Sequence, residues 1–219
     1  MYKTKDLLDL DHSIAAGLFE GLDNPWDALA GISDFILKLG KTLPADEFDS
    51  PSEGVWIAKD AKVLPSAYIA PPCIIDHGAE VRHCAFIRGG AVVGKNCVVG
   101  NSVELKNVVL FDNVQVPHYN YVGDSILGYR SHMGAGSITS NVKSDRTQVV
   151  VKSGAEQIET GRKKFGAILG DRVEVGCNTV LNPGTVIGRG TNIYPVSCVR
   201  GVIPENSIYK DADNIVAKK

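Results

Sequence analysis

The stretch IRGGAVVGKNCVVGNSVEL, residues 87–105, decides the fold. It sets Ile87, Val93, Val99 and Leu105 six residues apart, and four residues after each of the first three comes a small or modest apolar residue: Ala91, Cys97 and Val103. A period of six fits neither an amphipathic helix, which repeats at about 3.6, nor an unbroken strand, which repeats at about two. It fits short strands joined by regular turns and wound into a solenoid. Upstream the same beat passes through Ile57, Val63, Ile69, Ile75 and Val81, with Ala61, Ala67, Cys73, Ala79 and Ala85 in the small-residue slots. Downstream it continues through Leu110, Val116, Val122, Leu127, Met133 and Thr139, with two five-residue steps and Val109 in the next small slot. A second run follows: Leu169, Val175, Leu181, Ile187, Ile193 and Val199. Cys73 and Cys97 therefore read as core.

The flanks read differently. Residues 1–53 form a helical N-terminal segment and linker: Asn24-Pro25 with Asp27 makes a helix start, and Trp26, Leu29, Ile32, Ile36 and Leu39 recur at helical steps up to Gly40. A shorter helix is expected over Ser13 to Glu20, and TLPADEFDSPSEG (42–54) is a linker by composition. These helices are expected to cap an open end of the solenoid, where strand edges are exposed. The solenoid spans 54–204, with an inserted loop at 142–165 that leaves the beat, and 205–219 reads as a C-terminal tail.

Composition narrows the function. The chain has 219 residues, 44% hydrophobic and 22% charged, with a net charge of -2, so neither a nucleic acid nor a membrane is an expected partner. Five cysteines, an odd number with no CxxC pair, indicate neither a disulfide framework nor a zinc ribbon. The N-terminus MYKTKDLLDLDHS lacks the apolar run of a signal peptide, and the expected location is cytoplasmic. His77, His83 and Cys84 meet no recognised ligand spacing, so no metal is expected.

VVGKNCVVGNSV and LGDRVEVGCNTVLNPGTVIGRG resemble the hexapeptide repeats of the left-handed β-helix acyltransferases. The resemblance implies a mainly β fold, a left-handed parallel β-helix in which three hexapeptides complete one triangular coil of eighteen residues. Residues eighteen apart then stack on successive coils, about 4.8 Å from each other. Arg88 and Lys106 are such a pair, each following its core aliphatic residue. Two stacked cations repel, and a bound phosphate would relieve the repulsion; the alternative is a solvated pair. Tyr121, just before Val122, falls beside that column, and His118 lies three residues earlier near the preceding corner. Imidazole accepts a proton near neutral pH, although surface histidines are common.

FIRGG, VGNSVELKN, PHYNYVGDSILG, GAGSITSN and RKKFGAILGDRVEVGCNT together resemble the acetyltransferase half of the bifunctional glucosamine-1-phosphate acetyltransferase/N-acetylglucosamine-1-phosphate uridyltransferases. That resemblance implies acetyl-CoA as donor, an amino-sugar phosphate as acceptor, no metal for the acyl transfer, and a homotrimer with sites between prisms. By position it implies His118 as general base and Ala135 as the residue whose backbone N–H faces the oxyanion. Arg88, Lys106, Tyr121 and Lys164 would hold the sugar phosphate, with His132 and Asn141 also on the acceptor. Ala135, Cys177 and Pro195 would line the coenzyme. The chain departs from the pattern in having His132 for an asparagine, Val142 for a tyrosine and Cys177 for a serine, and in its longer loop with Lys143, Arg146, Lys152, Arg162, Lys163 and Lys164. These basic residues either hold the coenzyme's phosphates or are solvated. No Gly-rich nucleotide loop precedes the coils, so uridyltransferase activity is not expected. The rival readings are an acyltransferase acting on a nucleotide-linked sugar with another donor, and a non-catalytic sugar-phosphate-binding or scaffold subunit.

Overall fold

A computed structural model describes residues 1–218. The protein is a three-sided parallel β-helix. The first face stacks eight strands by way of pairs such as Val55–Ala58 on Cys73–Ile75 and Thr185–Ile187 on Val202–Ile203. The second stacks eight, from Lys62–Val63 to Ser207–Asp211, and the third seven, from Tyr68–Ile69 to Cys198–Val199. Every coil-to-coil pairing is parallel, and the periodic aliphatic residues from Ile75 to Val199 are at most 3% exposed. No helix among the described residues is long and apolar enough to cross a membrane.

The two five-residue steps have a structural cause. Strands Glu104–Leu110 and Tyr121–Leu127 each run through a corner on one left-handed residue, Asn107 (φ 55°) and Asp124 (φ 48°). Asparagine and aspartate tolerate that conformation better than other side chains. The shortened step shifts the slots by one: Val108, not Val109, falls in register with Ala91 and Cys73.

The N-terminal segment does not cap an end. It runs as a strap along the side of the prism, from the last coils to the early ones. Tyr2 accepts a hydrogen bond from the Glu205 N–H, Leu7 O from the Asp171 N–H, and His12 O from the Asp112 N–H; farther on, the Asn107 amide donates to Leu29 O. Helix Ile32–Gly40 then packs on strands Cys73–Ile75 and Ala91–Val93. The first face is consequently apolar on both sides: its outward residues Ile74, Val92, Val109, Ile126, Ile168 and Val186 are fully buried. Each such side chain contributes about 1.5–3 kcal/mol on burial. The strap is also less helical than its periodicity suggests. Pro25–Ala30 is a 3-10 segment, Gly31 breaks the run, and over Ser13–Glu20 only Ala16–Phe19 forms a 3-10 turn. The Asn24 side chain bonds Asp27 instead of capping backbone.

Both ends of the prism carry antiparallel strands where linker and tail were expected. Phe48–Ser52 pairs with Val55–Ala58, its Pro51 tolerated because the strand is an edge. Ser207–Asp211 adds a parallel rung to Asn192–Ile193 and then pairs with Asn214–Ala217. The 142–165 insert folds into a hairpin, Val150–Ser153 with Glu156–Glu159.

Candidate functional site

The corner between the second and third faces gathers four of the residues singled out above. Tyr119 N donates to Asn101 O, Gly136 N to His118 O, Asn178 N to Ala135 O, and Val196 N to Cys177 O. This repeated bond stacks Asn101, His118, Ala135, Cys177 and, immediately before Val196, Pro195 in one column on successive coils. A buried amide fixes the geometry beneath. Asn120 accepts from the His118 N–H at 3.1 Å and donates to Gly134 O and Ser137 O at 2.8 and 3.0 Å. Asn120 escaped the sequence reading, although its signal is there: it occupies the slot four residues after Val116, which neighbouring coils fill with Val103 and Ala85.

His118 closes strand Gln115–His118 and its side chain is exposed. Among the described residues its ring has no hydrogen-bond or ion-pair partner. The other four histidines all do: His12 lies 3.7 Å from Asp9, His77 bonds Asp60, His83 bonds Ser66 and His132 bonds Glu174. The Ala135 N–H, one coil on, also meets no acceptor within the described chain.

A second polar group occupies the third face, one turn of chain beyond His118. Arg88, Lys106 and Gly123 share one outward column, and Phe86, Glu104, Tyr121 and Ile138 the next. Arg88 donates to Glu104 at 2.7 Å, and Lys106 to both oxygens of Asp124 at 2.9 and 3.0 Å. The repulsion between the stacked cations is thus already offset by carboxylates. Asp124, only 4% exposed, also accepts from Asn107 at 3.0 Å and from Asn141 at 2.6 Å. Glu104 and Asp124 lie within the quoted motifs, but their role as counter-ions needs the coil register to be seen. Asn141 Nδ2 donates on to the Tyr121 hydroxyl at 3.2 Å. The phenol folds over Gly123, where a Cβ would lie 2.5 Å from its oxygen. Burial raises the Tyr121 pKa, helped by Asp124 and Glu104, so the phenol keeps its proton and can donate it to a ligand.

The insert rejoins the coil at this group. Phe165 N donates to Asn141 O and Gly166 N to Asp124 O, which sets exposed Lys164 beside both. His132 is elsewhere. It begins the second-face strand His132–Met133, in register with Gln115 and Glu174, and bonds Glu174 Oε2 at 2.9 Å at the opposite end of that face from Ala135. His77 and His83 lie on different corners, and Cys84 donates its N–H to Ser66.

This architecture has relatives. Over 207 residues the chain is 32% identical to the bifunctional protein GlmU of Methanococcus maripaludis, covering 93% of this chain and 50% of that protein. It is 33% identical over 106 residues to the bifunctional sugar-1-phosphate nucleotidylyltransferase/acetyltransferase of Sulfurisphaera tokodaii, covering 48% and 26%. The chain therefore spans half or less of the length of these relatives. Among solved structures, the acetyltransferase domain of PglB from Neisseria gonorrhoeae, in complex with acetyl coenzyme A, matches at 17% identity and a TM-score of 0.35, covering 84% of this chain and 66% of that one. That score is too low to equate residues. The family described as the GMPPB C-terminal domain matches residues 69–191, more than half of the chain and the greater part of the coils that carry both polar groups. With its register, its corner column and this match in agreement, the chain belongs to the GMPPB C-terminal domain family.

Proposed function

We propose that this chain transfers an acetyl group from acetyl-CoA to the amine of an amino-sugar phosphate resembling glucosamine 1-phosphate. The observation that carries the reading is the corner column. It presents an unpartnered imidazole at His118 and, one coil away, an unpartnered backbone N–H at Ala135. The name of the Sulfurisphaera tokodaii relative, which pairs a sugar-1-phosphate nucleotidylyltransferase with an acetyltransferase, supports the same class. In this reading the thioester carbonyl lies against the Ala135 N–H and the rest of the coenzyme follows Cys177 and Pro195. His118 removes a proton from the acceptor ammonium and passes it to solvent; the freed amine attacks the carbonyl, and His118 then takes the second proton from the nitrogen of the tetrahedral adduct. The Ala135 N–H stabilises the developing oxyanion. Collapse expels the coenzyme thiolate, which recovers the proton from His118. Tyr121, Asn141 and Lys164 orient the sugar, and Arg88 and Lys106 face its phosphate. Tyr68 and Phe86, their rings tilted against each other with centroids 5.7 Å apart and 62% and 42% exposed on the third face, support a homotrimer with neighbouring prisms closing the site. A cytoplasmic setting supplies the donor.

The His118→Ala variant should lose about 10²–10⁴-fold in kcat while the acceptor's Kd stays within about threefold. Turnover near that of the unsubstituted chain removes His118 as the base. One observation favours a second reading, an acceptor carried on a nucleotide: Glu104 and Asp124 already neutralise Arg88 and Lys106. Thiol release measured with glucosamine 1-phosphate and with a UDP-linked amino sugar separates the two.

A further inference from the structure

The inserted hairpin lies back on the corner between the third and first faces, and two glycines receive it. A Cβ on Gly184 would sit 2.7 Å from Val149 Cγ1, and one on Gly201 would sit 2.9 Å from the Lys152 carbonyl oxygen. Both glycines have positive φ, 81° and 75°, which costs them nothing sterically. Val149 and Val151 are fully buried by this seating. Between hairpin and coil it leaves a cavity of about 300 Å³ lined by Lys143, Lys152 and Arg200 with the amides of Gln157 and Asn182, and by no carboxylate. Lys143 leans on Asp145 at 3.3 Å. Lys152 and Arg200 have no ion-pair partner among the described residues, unlike Arg88 and Lys106, which each hold a carboxylate.

The coil register connects this cavity to the polar group on the third face. Ile138, Val180 and Cys198 are in register, so Ser140, Asn182 and Arg200 continue the outward column of Lys106 and Gly123. Arg200 stands two rungs, about 10 Å, from Ser140, the neighbour of Asn141. One elongated ligand can therefore touch both Asn141 and Arg200.

We propose that this cavity binds the diphosphate of a diphosphate diester. Arginine supplies a planar fork and the lysines supply point charges, a set suited to phosphoryl oxygens. Two reactants could carry that group, coenzyme A and an acceptor sugar linked to a nucleoside diphosphate. Naming these sources rests on the acetyl-transfer reading; the cavity does not.

Calorimetric titration of the full chain with coenzyme A and, separately, with UDP-glucosamine tests the site. The Lys152→Gln/Arg200→Gln variant should weaken at least one of the two ligands by about tenfold or more. The ligand that weakens identifies the source. Lys41→Gln removes an exposed charge after the N-terminal helix, lines no part of the cavity, and should leave both affinities unchanged. If the double variant melts early, Lys152→Glu, at an exposed position, makes the same test. Binding of neither ligand to the unsubstituted chain, affinities unmoved by the substitutions, or an equal loss in Lys41→Gln each overturns the proposal. Because the readout is binding, a chain that holds a diphosphate through Arg200 yet transfers no acetyl group refutes only the transferase reading. A chain that transfers acetyl but ignores the double substitution refutes only this site.

Discussion

Asp124→Asn isolates the charge on which the third-face group depends. Asparagine accepts the left-handed corner, φ 48°, so the backbone need not move. The carboxylate accepts from Lys106, Asn107 and Asn141, one oxygen serving Lys106 and Asn107 and the other Lys106 and Asn141. A carboxamide keeps one accepting oxygen, and either flip points an NH₂ at a donor. Losing a hydrogen bond to a charged group costs about 1.5–3 kcal/mol, and breaking a buried ion pair about 3–5 kcal/mol. The Lys106 side chain is 27% exposed, so water can partly solvate the released ammonium. The expected loss is therefore about 2–3 kcal/mol, or about 4–12 °C in Tm for a chain of this length. Urea denaturation monitored by two probes measures it. A double-mutant cycle with Lys106→Met should return a coupling of about 1 kcal/mol or more. A loss below about 0.5 kcal/mol, or additivity in the cycle, would refute the role assigned to Asp124.

Three further outcomes are expected. Asp76 is fully buried with Oδ2 unpartnered, and burial raises its carboxyl pKa. The folded state holds that proton more tightly than the unfolded one, so stability falls as pH rises from the unfolded value towards the folded one, and stays lowered above it. Asp76→Asn should thus raise Tm at pH 7, with the gain fading below about pH 4; a gain equal at both pH values contradicts this. Gly40→Ala would put a Cβ 2.3–2.4 Å from three Trp56 ring atoms. The overpacking should cost about 1–3 kcal/mol in chemical denaturation, despite the better helix propensity of alanine, and a stabilised variant would disprove the strap's close seating. Burial pushes the Cys73 thiol up to about 12 and raises that of Cys97, whereas Cys84, Cys177 and Cys198 are exposed. Iodoacetamide at pH 8 should alkylate the three exposed thiols in the folded chain and all five in urea, as mass spectrometry would show.

The coil was legible because a solenoid repeats one local environment. Each inward slot asks for the same kind of side chain, so the demand recurs in the sequence every six residues. Register followed from that beat, and with it the stacking of Arg88 on Lys106 with Tyr121 beside them; the column that His118 shares with Ala135, Cys177 and Pro195 needed the structure, because the 142–165 insert interrupts the count. The strap was misjudged although a signal existed. First-face segments such as CII, AVV, VVL and AIL are apolar at three successive positions, the mark of a strand buried on both sides. The sequence by itself therefore determined the winding, the inward residues apart from the slot at Val109, and the shared column of Arg88 and Lys106. Only the tertiary structure decided that Glu104 and Asp124 neutralise the stacked cations, that His132 lies with Glu174 and away from Ala135, and that residues 1–40 lie along a face instead of across an end. Periodicity reports what each residue needs from its own coil. Ion pairing and docking depend on side-chain reach and on surfaces supplied by distant segments, and no repeat encodes them.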